Sequence, residues 1–206
     1  MESKESVTFE ITISEAGPEE MGFAAGVLAR GMRDNPIHQA AMGRDSLVRM
    51  RTLERFFGRL LPLMRQAPIC ARRGDVIVGV LGMAPPGTCQ PPPRHVARIA
   101  PAILRAGPAR PVQTLRWIQE WNKRDPKERH WHLGPIAVEP ALQGLGIGSR
   151  MMERFAGRMD AVGDAAYLET DKAENVRFYE RFGFETIEEA MVLHKPNWFM
   201  RRAART

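Results

Sequence analysis

The sequence of 206 residues contains few cysteines and no long apolar run. Its two cysteines, Cys70 and Cys89, cannot form a disulfide framework, which favours a reducing, cytoplasmic setting. No stretch approaches the ~20 apolar residues that a membrane span needs. The charged and polar start, MESKESVTFE, is not typical of a secretory signal. We therefore expect a cytoplasmic protein with no membrane partner.

The motifs of several functional classes are also missing. No Gly-Lys-Ser/Thr follows the glycine-rich turn, which excludes a Walker loop, and the third glycine of the Rossmann fingerprint is not there. No His, Cys, Asp or Glu residues have the spacing of metal ligands, so the sequence predicts no metal. The net charge of +6 is compatible with nucleic acid. However, its basic clusters are short and no nucleic-acid motif accompanies them, so we expect no nucleic-acid partner.

The composition is that of a globular protein, with 44% apolar and 26% charged residues. The length suits a single domain over residues 1–206. Within it, residues 85–128 form a proline-rich and partly helical insert that is expected to shape a binding site. The basic residues 201–206 are interpreted as a solvated tail.

Hydrophobic periodicity predicts an α/β chain with a mixed sheet and helices on both faces. Strands alternate apolar and polar residues, whereas helices repeat apolar residues every three or four positions. Predicted strands cover 7–14, the two sides of a hairpin at Gly74, 129–140, 165–170 and one or two segments of 185–200. Predicted helices cover 18–33, about 44–64, 112–124, 148–162 and 173–183, with a short one inside 85–111.

Three glycines at alternate positions stand between a predicted strand and a predicted helix. They are Gly144, Gly146 and Gly148 in QGLGIGS. The first N–H groups of a helix have no internal partner and lie at the positive end of the helix dipole, so they bind phosphate well. Glycine lets the backbone approach such a group and adopt positive φ. The stretch therefore predicts a phosphate cradle, although glycines can also end a turn without any ligand.

Two longer blocks resemble the GNAT family of N-acetyltransferases. LGPIAVEPALQGLGIGSRMM (133–152) is similar to the family's strand, acetyl-CoA loop and helix, and YLETDKAENVRFYERFGFE (167–185) to its next strand and helix. Their order and separation also match. With the tail PNWFMRR, the chain looks most like the puromycin N-acetyltransferase-like group. The strong resemblance covers roughly residues 125–202.

The resemblance implies the GNAT fold, a splayed and mostly antiparallel central sheet flanked by helices. The strands ending near Val138 and at 166–170 would diverge, and the pantetheine arm of acetyl-CoA would lie between them. The backbone at 136–138 would pair with the arm, the N–H groups at 143–148 would hold the pyrophosphate, and the Ser149 hydroxyl would assist. The implied acetyl-CoA residues are Ile136, Ala137, Val138, Gln143, Gly144, Leu145, Gly146, Ile147, Gly148, Ser149, Asn175 and Tyr179.

The implied reaction moves an acetyl group from acetyl-CoA to the primary amine of a small molecule in a ternary complex. Tyr179 is the expected acid for the departing thiolate, because a phenol with a pKa near 10 stays protonated at neutral pH. The proton acceptor for the amine stays open between His132, which faces the same side of its strand as His130, and Glu169 at the end of the next strand. Glu120 in the insert is a further rival.

Other conspicuous residues are interpreted as structural. Trp117 and Trp121 stand four apart on a predicted helix, a spacing typical of core packing. Cys70 and Cys89 have no acid–base partner at a recognisable spacing, which gives no support for a thiol nucleophile. Two other functions stay open: acetylation of a protein or peptide amine, and a non-catalytic acyl-CoA-binding regulator. A homodimer is a family-level expectation.

Overall fold

The computed structural model describes residues 10–90, 92–104 and 110–205, so the first part of the predicted strand at 7–14 lies outside the described residues. The strands are β1 (Ile11–Glu15), β2 (Ile69–Arg73), β3 (Val76–Ala84), β4 (His130–Val138), β5 (Ala165–Thr170), β6 (Phe184–Val192) and β7 (Lys195–Arg202). The α-helices are α1 (Met21–Met32), α2 (Pro36–Met42), α3 (Ser46–Leu60), α4 (Pro93–Leu104), α5 (Arg110–Asn122), α6 (Ile147–Val162) and α7 (Ala173–Glu180). Within the described ranges, none of these helices combines the length and apolar character needed to cross a membrane.

The strands form one sheet in the order β1-β2-β3-β4-β5-β7-β6. All described neighbours are antiparallel except β4 and β5, which run parallel. These two strands pair at only three positions, ending with His132 opposite Tyr167. Beyond that point β4 stays on β3 and β5 stays on β7, so the sheet splits. The predicted splayed, mostly antiparallel sheet is confirmed.

Helices cover both faces of the sheet, as the periodicity predicts. Helices α1 and α3 enclose one core, in which Leu28 and Phe57 pack near Val80 of β3. Helix α6 encloses the other, which contains Phe155 and the next residue of β3, Leu81. Adjacent residues of a strand point to opposite faces, so β3 contributes to both cores. This is why its sequence is apolar almost throughout.

The described part of the insert contains two helices, as the sequence predicts. Helix α5 matches the predicted helix at 112–124, and α4 is the helix expected within 85–111. Trp117 is buried and packs edge to face against Trp121, with ring centroids 5.1 Å apart. Trp121 donates its indole N–H to Asn197 Oδ1 at 3.0 Å. Both tryptophans are therefore part of the core, as their spacing predicts.

Two boundaries differ from the expectations. The helix predicted at 18–33 is followed by α2, which the sequence analysis did not predict, and Pro36 is the first residue of α2, where its missing N–H costs nothing. The basic tail does not begin at residue 201, because Arg201 and Arg202 belong to β7. Arg202 is buried, donates to the Phe182 carbonyl at 2.9 Å and pairs with Asp160 at 2.5 Å. A buried arginine needs such partners, and these come from α6 and the turn after α7.

Helix α1 approaches β4 closely because it has a glycine at the contact. A Cβ built on Gly31 would lie 2.7 Å from the Ala137 Cβ and 2.9 Å from the Val138 carbonyl oxygen. Both distances are below any normal contact, and the oxygen belongs to the backbone. The absence of a side chain at position 31 thus sets the distance between α1 and this part of β4.

We predict that Gly31→Ala destabilises the protein by about 1–3 kcal/mol, because the added methyl must displace β4 or α1. Gly22→Ala on the same helix is the matched control. A Cβ there meets no atom within 4 Å, so this change should be neutral or stabilise by up to about 1 kcal/mol. Urea-induced unfolding measures both. Equal free energies of unfolding for the two variants would contradict the predicted contact.

Candidate active site

A groove of about 380 Å³ lies where β4 separates from β5. It brings together almost all the residues predicted to bind acetyl-CoA, although these come from β4, the loop before α6, and α7. Those that line it are Ile136, Ala137, Val138, Gln143, Gly144, Gly146, Ile147, Gly148, Ser149, Asn175 and Tyr179. Leu145 does not line the groove, and its side chain points to solvent with 69% exposure.

The edge of β4 in this groove has unpaired backbone groups. Beyond His132 this edge has no strand partner among the described residues, because β5 has turned away. The Glu139 N–H donates to Val78 of β3. Since N–H groups alternate sides along a strand, those of Ile136 and Val138 face the groove. The Val138 carbonyl accepts from the Gln143 side-chain amide at 3.1 Å. The exposed edge can therefore accept one further extended segment.

The loop before α6 presents a row of N–H groups. Gly144 and Gly146 adopt left-handed φ values of 79° and 77°, which L side chains adopt at a cost. The N–H groups from Gly144 to Ser149 have no acceptor within the described residues. The Gln143 N–H, in contrast, already donates to Pro140 at 3.4 Å. The row of free N–H groups therefore begins at Gly144, one residue later than in the predicted stretch 143–148.

Helix α7 forms the opposite wall. Asn175 donates its side-chain amide to Thr170 Oγ1 at 3.2 Å. Tyr179 is 4% exposed and packs against Phe178 and Phe184. Burial, helped by the negative charge of Asp171, raises the pKa of the Tyr179 phenol. The phenol therefore keeps its proton at neutral pH and can act as a donor.

Two cations that the sequence analysis missed also line the groove. Lys172 and Arg181 flank α7. The Arg181 guanidinium stacks over the Phe178 ring, 5.1 Å from its centroid. Basic residues are frequent in this chain, so only their position in space distinguishes these two. Together with the free N–H groups, they make the groove suitable for an anion.

His132 and Glu169 meet where the sheet splits. His132 Nε2 lies 2.9 Å from Glu169 Oε2, and the Glu169 side chain is only 3% exposed. Glu120, the further rival, is instead paired with Lys123 and Arg124 on the surface of α5, so it is not part of this site. The two residues that the resemblance left open as proton acceptors are thus hydrogen-bonded partners.

Neighbouring groups raise the pKa values of both His132 and His130. Burial opposes a charge on His132, but the charge of Glu169 and hydrogen bonds to Asp125, Cys89 and Glu169 raise its pKa well above the usual value. Burial is likewise outweighed at His130, where hydrogen bonds to Asp125, Cys89 and the Glu128 carbonyl raise the pKa to about 10.

Cys89 has acid–base partners, contrary to the expectation from spacing. Its Sγ lies 3.5 Å from His130 Nε2. Burial alone would raise the pKa of the thiol, but hydrogen bonds from His130 and His132 lower it to about 7. Cys89 comes from the loop after β3 and lies 41 residues from His130, so no local motif could reveal the contact. Cys70 has no such role, because burial raises the pKa of its thiol to about 12.

A second cavity, of about 390 Å³, adjoins the groove along β4. Its β4 lining consists of His132, Gly134 and Pro135, whereas the groove begins at the next residue, Ile136. The remaining walls come from the end of α3 and from the first part of the insert. The insert residues are Gly87, Thr88, Cys89, Gln90, Pro92, Arg94, His95 and Ile99. The insert therefore shapes a cavity beside the groove.

The Acetyltransferase (GNAT) family profile matches residues 49–184, about two thirds of the chain. The chain belongs to the GNAT acetyltransferase family. Members use acetyl-CoA, and a groove with free N–H groups, positive-φ glycines and two cations fits its pyrophosphate. The puromycin N-acetyltransferase-like group is a finer assignment than this match supports.

Solved structures of acetyltransferases share the fold. A Corynebacterium glutamicum protein described as histone acetyltransferase HPA2 and related acetyltransferase is 21% identical, with a TM-score of 0.67 over 95% of this chain and 97% of that chain. A polyamine N-acetyltransferase from Drosophila melanogaster is 15% identical, with a TM-score of 0.63 over 94% and 100%. A Brucella melitensis GNAT acetyltransferase in complex with acetyl-CoA is 15% identical, with a TM-score of 0.56 over 96% and 90%.

Proposed function

We propose that this GNAT protein is an N-acetyltransferase that moves the acetyl group of acetyl-CoA to the primary amine of a small molecule. The observation that carries the proposal is the meeting of two cavities on consecutive residues of β4. One is the groove with the free strand edge and the free N–H groups, and the other is the second cavity, which the insert lines. Two substrates bound in them would bring their reacting ends together at Pro135 and Ile136.

In this proposal the acetyl-CoA lies along the groove. The backbone of Ile136 and Val138 pairs with the pantetheine amides as an added strand, while the N–H groups of 144–149 hold the pyrophosphate. Lys172 and Arg181 add positive charge near the phosphates. Asn175, held by Thr170, contacts the arm. The acetyl group then points toward the position where β4 leaves β5.

The chemistry requires a neutral amine, a polarised thioester and a proton for the leaving group. The amine nitrogen attacks the carbonyl carbon, the C–S bond breaks, and the thiolate takes a proton from the Tyr179 phenol. The amine's proton passes to Glu169 through water, with His132 orienting that carboxylate. A backbone N–H of β4 at the meeting point of the two cavities stabilises the developing oxyanion.

The size and enclosure of the second cavity favour a small acceptor. About 390 Å³ is the volume of a small-molecule pocket, and the insert closes it from several sides. Two structural neighbours are named as agmatine and polyamine N-acetyltransferases, which are amine-acetylating enzymes. The likeness to puromycin N-acetyltransferases points the same way. We place this activity in the cytoplasm, the reducing setting that the two cysteines of the sequence favour.

The direct test is release of free CoA from acetyl-CoA in the presence of a panel of amines. We expect turnover with at least one class of small primary amine, and acetyl-CoA binding by calorimetry without any acceptor. Turnover only with peptides that carry a free N-terminus or lysine would favour the alternative of a protein acetyltransferase. Binding of acetyl-CoA with no CoA release from any acceptor would instead favour a non-catalytic regulator.

Gly146→Ala tests the pyrophosphate cradle. The substitution strains a residue with φ of 77° and disturbs the row of N–H groups, so we expect the affinity for acetyl-CoA to fall about tenfold or more. Gly163→Ala is the matched control, because Gly163 has φ of 62° at the other end of α6. Both variants should lose about 1–2 kcal/mol of stability. Equal acetyl-CoA affinities in the two variants would contradict the assignment.

Tyr179→Phe tests the proposed acid. The ring keeps its packing against Phe178 and Phe184, so the fold and the affinity for acetyl-CoA should stay near those of the wild type. Without the hydroxyl proton, kcat should fall by about tenfold or more. Steady-state kinetics with the best amine of the panel measures this. A kcat equal to that of the wild type would remove Tyr179 from the mechanism.

A further inference from the structure

Four side chains with metal-binding atoms meet beside the second cavity. They are Cys89 from the loop after β3, Asp125 from the connection after α5, and His130 and His132 from β4; we name them the Cys89 cluster. One ligand atom from each lies within 4.8 Å of all the others. These residues come from three separate segments, so their spacing in the sequence forms no metal-binding motif. The sequence analysis therefore predicted no metal.

The separations in the Cys89 cluster are close to those of a tetrahedral zinc site. Zinc bonds of about 2.0–2.1 Å to nitrogen or oxygen and about 2.3 Å to sulfur place neighbouring ligand atoms about 3.3–3.6 Å apart. The Asp125 Oδ1 is 3.2 Å from His130 Nε2 and 3.4 Å from His132 Nδ1. Cys89 Sγ is 3.5 Å from His130 Nε2. Three of the six distances between ligand atoms are therefore already close to those of a tetrahedral zinc site.

Both histidines are held with the correct nitrogen toward the centre. His130 Nδ1 donates to the Glu128 carbonyl at 2.7 Å, which leaves Nε2 as the inward nitrogen. His132 Nε2 donates to Glu169 at 2.9 Å, which leaves Nδ1 inward. Histidine ligands of metals are oriented in this way by a carbonyl or carboxylate on the outer nitrogen. In both rings the outer nitrogen is hydrogen-bonded and the other nitrogen faces the centre. The inward atom is Nε2 in His130 and Nδ1 in His132.

The four ligand atoms of the cluster converge on one confined space. His132 Nδ1 is buried and lies 3.4 Å from Asp125 Oδ1, but the two atoms lack the geometry of a good hydrogen bond. Asp125 and His130 have side chains only 12% and 6% exposed, so solvent contributes little. One divalent cation would satisfy all four groups.

We propose that the Cys89 cluster binds one Zn²⁺ ion through Cys89 Sγ, Asp125 Oδ1, His130 Nε2 and His132 Nδ1. A thiolate and two imidazoles select zinc over magnesium or calcium, which prefer oxygen ligands. Four protein ligands fill a tetrahedral site, so the ion is structural and does not activate water. A cavity of about 520 Å³, lined by Cys89, Asp125 and His130, provides an entry path.

The ion would connect two loops to β4. Cys89 and His132 also line the cavity proposed for the amine, so the metal would hold the first loop of the insert against that cavity. This consequence rests on the proposed function, whereas metal binding itself does not. His132 would then be a positioning residue, with its outer nitrogen fixed on Glu169.

Cobalt titration of the full-length chain tests the site, after removal of bound metal with a chelator under reducing conditions. We expect one Co²⁺ per chain, with a near-ultraviolet thiolate-to-cobalt charge-transfer band and the intense visible bands of tetrahedral cobalt. One equivalent of Zn²⁺ should remove these bands. Zinc content by mass spectrometry after loading and dialysis should also equal one ion per chain.

Matched cysteine variants assign the ligand. Cys89→Ala should abolish the charge-transfer band, whereas Cys70→Ala should keep it, because Cys70 is buried on β2 away from the cluster. Glu169→Gln should retain the band but weaken zinc binding by about 10–100-fold, since it removes the charge behind His132. Circular dichroism confirms that each variant is folded.

Two results would overturn the proposal. One is the absence of equimolar cobalt or zinc binding by the wild-type chain, which requires no variant to fold. The other is a charge-transfer band that survives in Cys89→Ala. Calorimetry with acetyl-CoA on the same samples keeps the two proposals separate. A chain that binds acetyl-CoA but no metal refutes only the zinc site, and one that binds zinc but not acetyl-CoA refutes only the proposed acetyl transfer.

Discussion

The unpaired backbone edge of β4 is the feature on which the rest of the site depends. The strand is paired to β5 at only three positions and then leaves it, while its other edge stays paired to β3. A buried strand edge costs free energy unless its polar groups find partners. The fold tolerates this edge because it faces a groove, and in the proposed complex the amides of acetyl-CoA would pair with the edge. The separation of β4 from β5 therefore creates the strand edge at which we propose that acetyl-CoA binds.

Several neighbouring contacts keep β4 and β5 apart beyond His132. β5 follows β7 to its end at Thr170, where Asp171 turns away and accepts the Ile37 N–H of α2 at 2.6 Å. Burial lowers the pKa of the adjacent His38, which packs on Trp117 of the insert. Gly31 allows α1 to approach β4 from the same side. The groove, the helices over it and the insert are consequently linked through buried contacts.

The sequence predicts well what is encoded locally. The alternation of strands, the glycines before α6 and the two motif blocks identify the fold, and nearly every residue they predict to bind acetyl-CoA lines the groove, because each signal spans a few consecutive positions. The sequence cannot reveal contacts between residues that lie far apart in the chain. Helix α2 begins where Asp171 accepts its N–H, and Arg202 is buried because Asp160 pairs with it. The Cys89 cluster gathers three segments in the same way.

Hydrogen–deuterium exchange with and without acetyl-CoA measures the central feature most directly. The account predicts that acetyl-CoA slows exchange in peptides that cover 136–149, where strand-edge and helix N–H groups are free. Exchange in β6, at the edge of the sheet away from the groove, should not change. Bound acetyl-CoA that leaves 136–149 unprotected, or protects another part of the chain, would contradict the account.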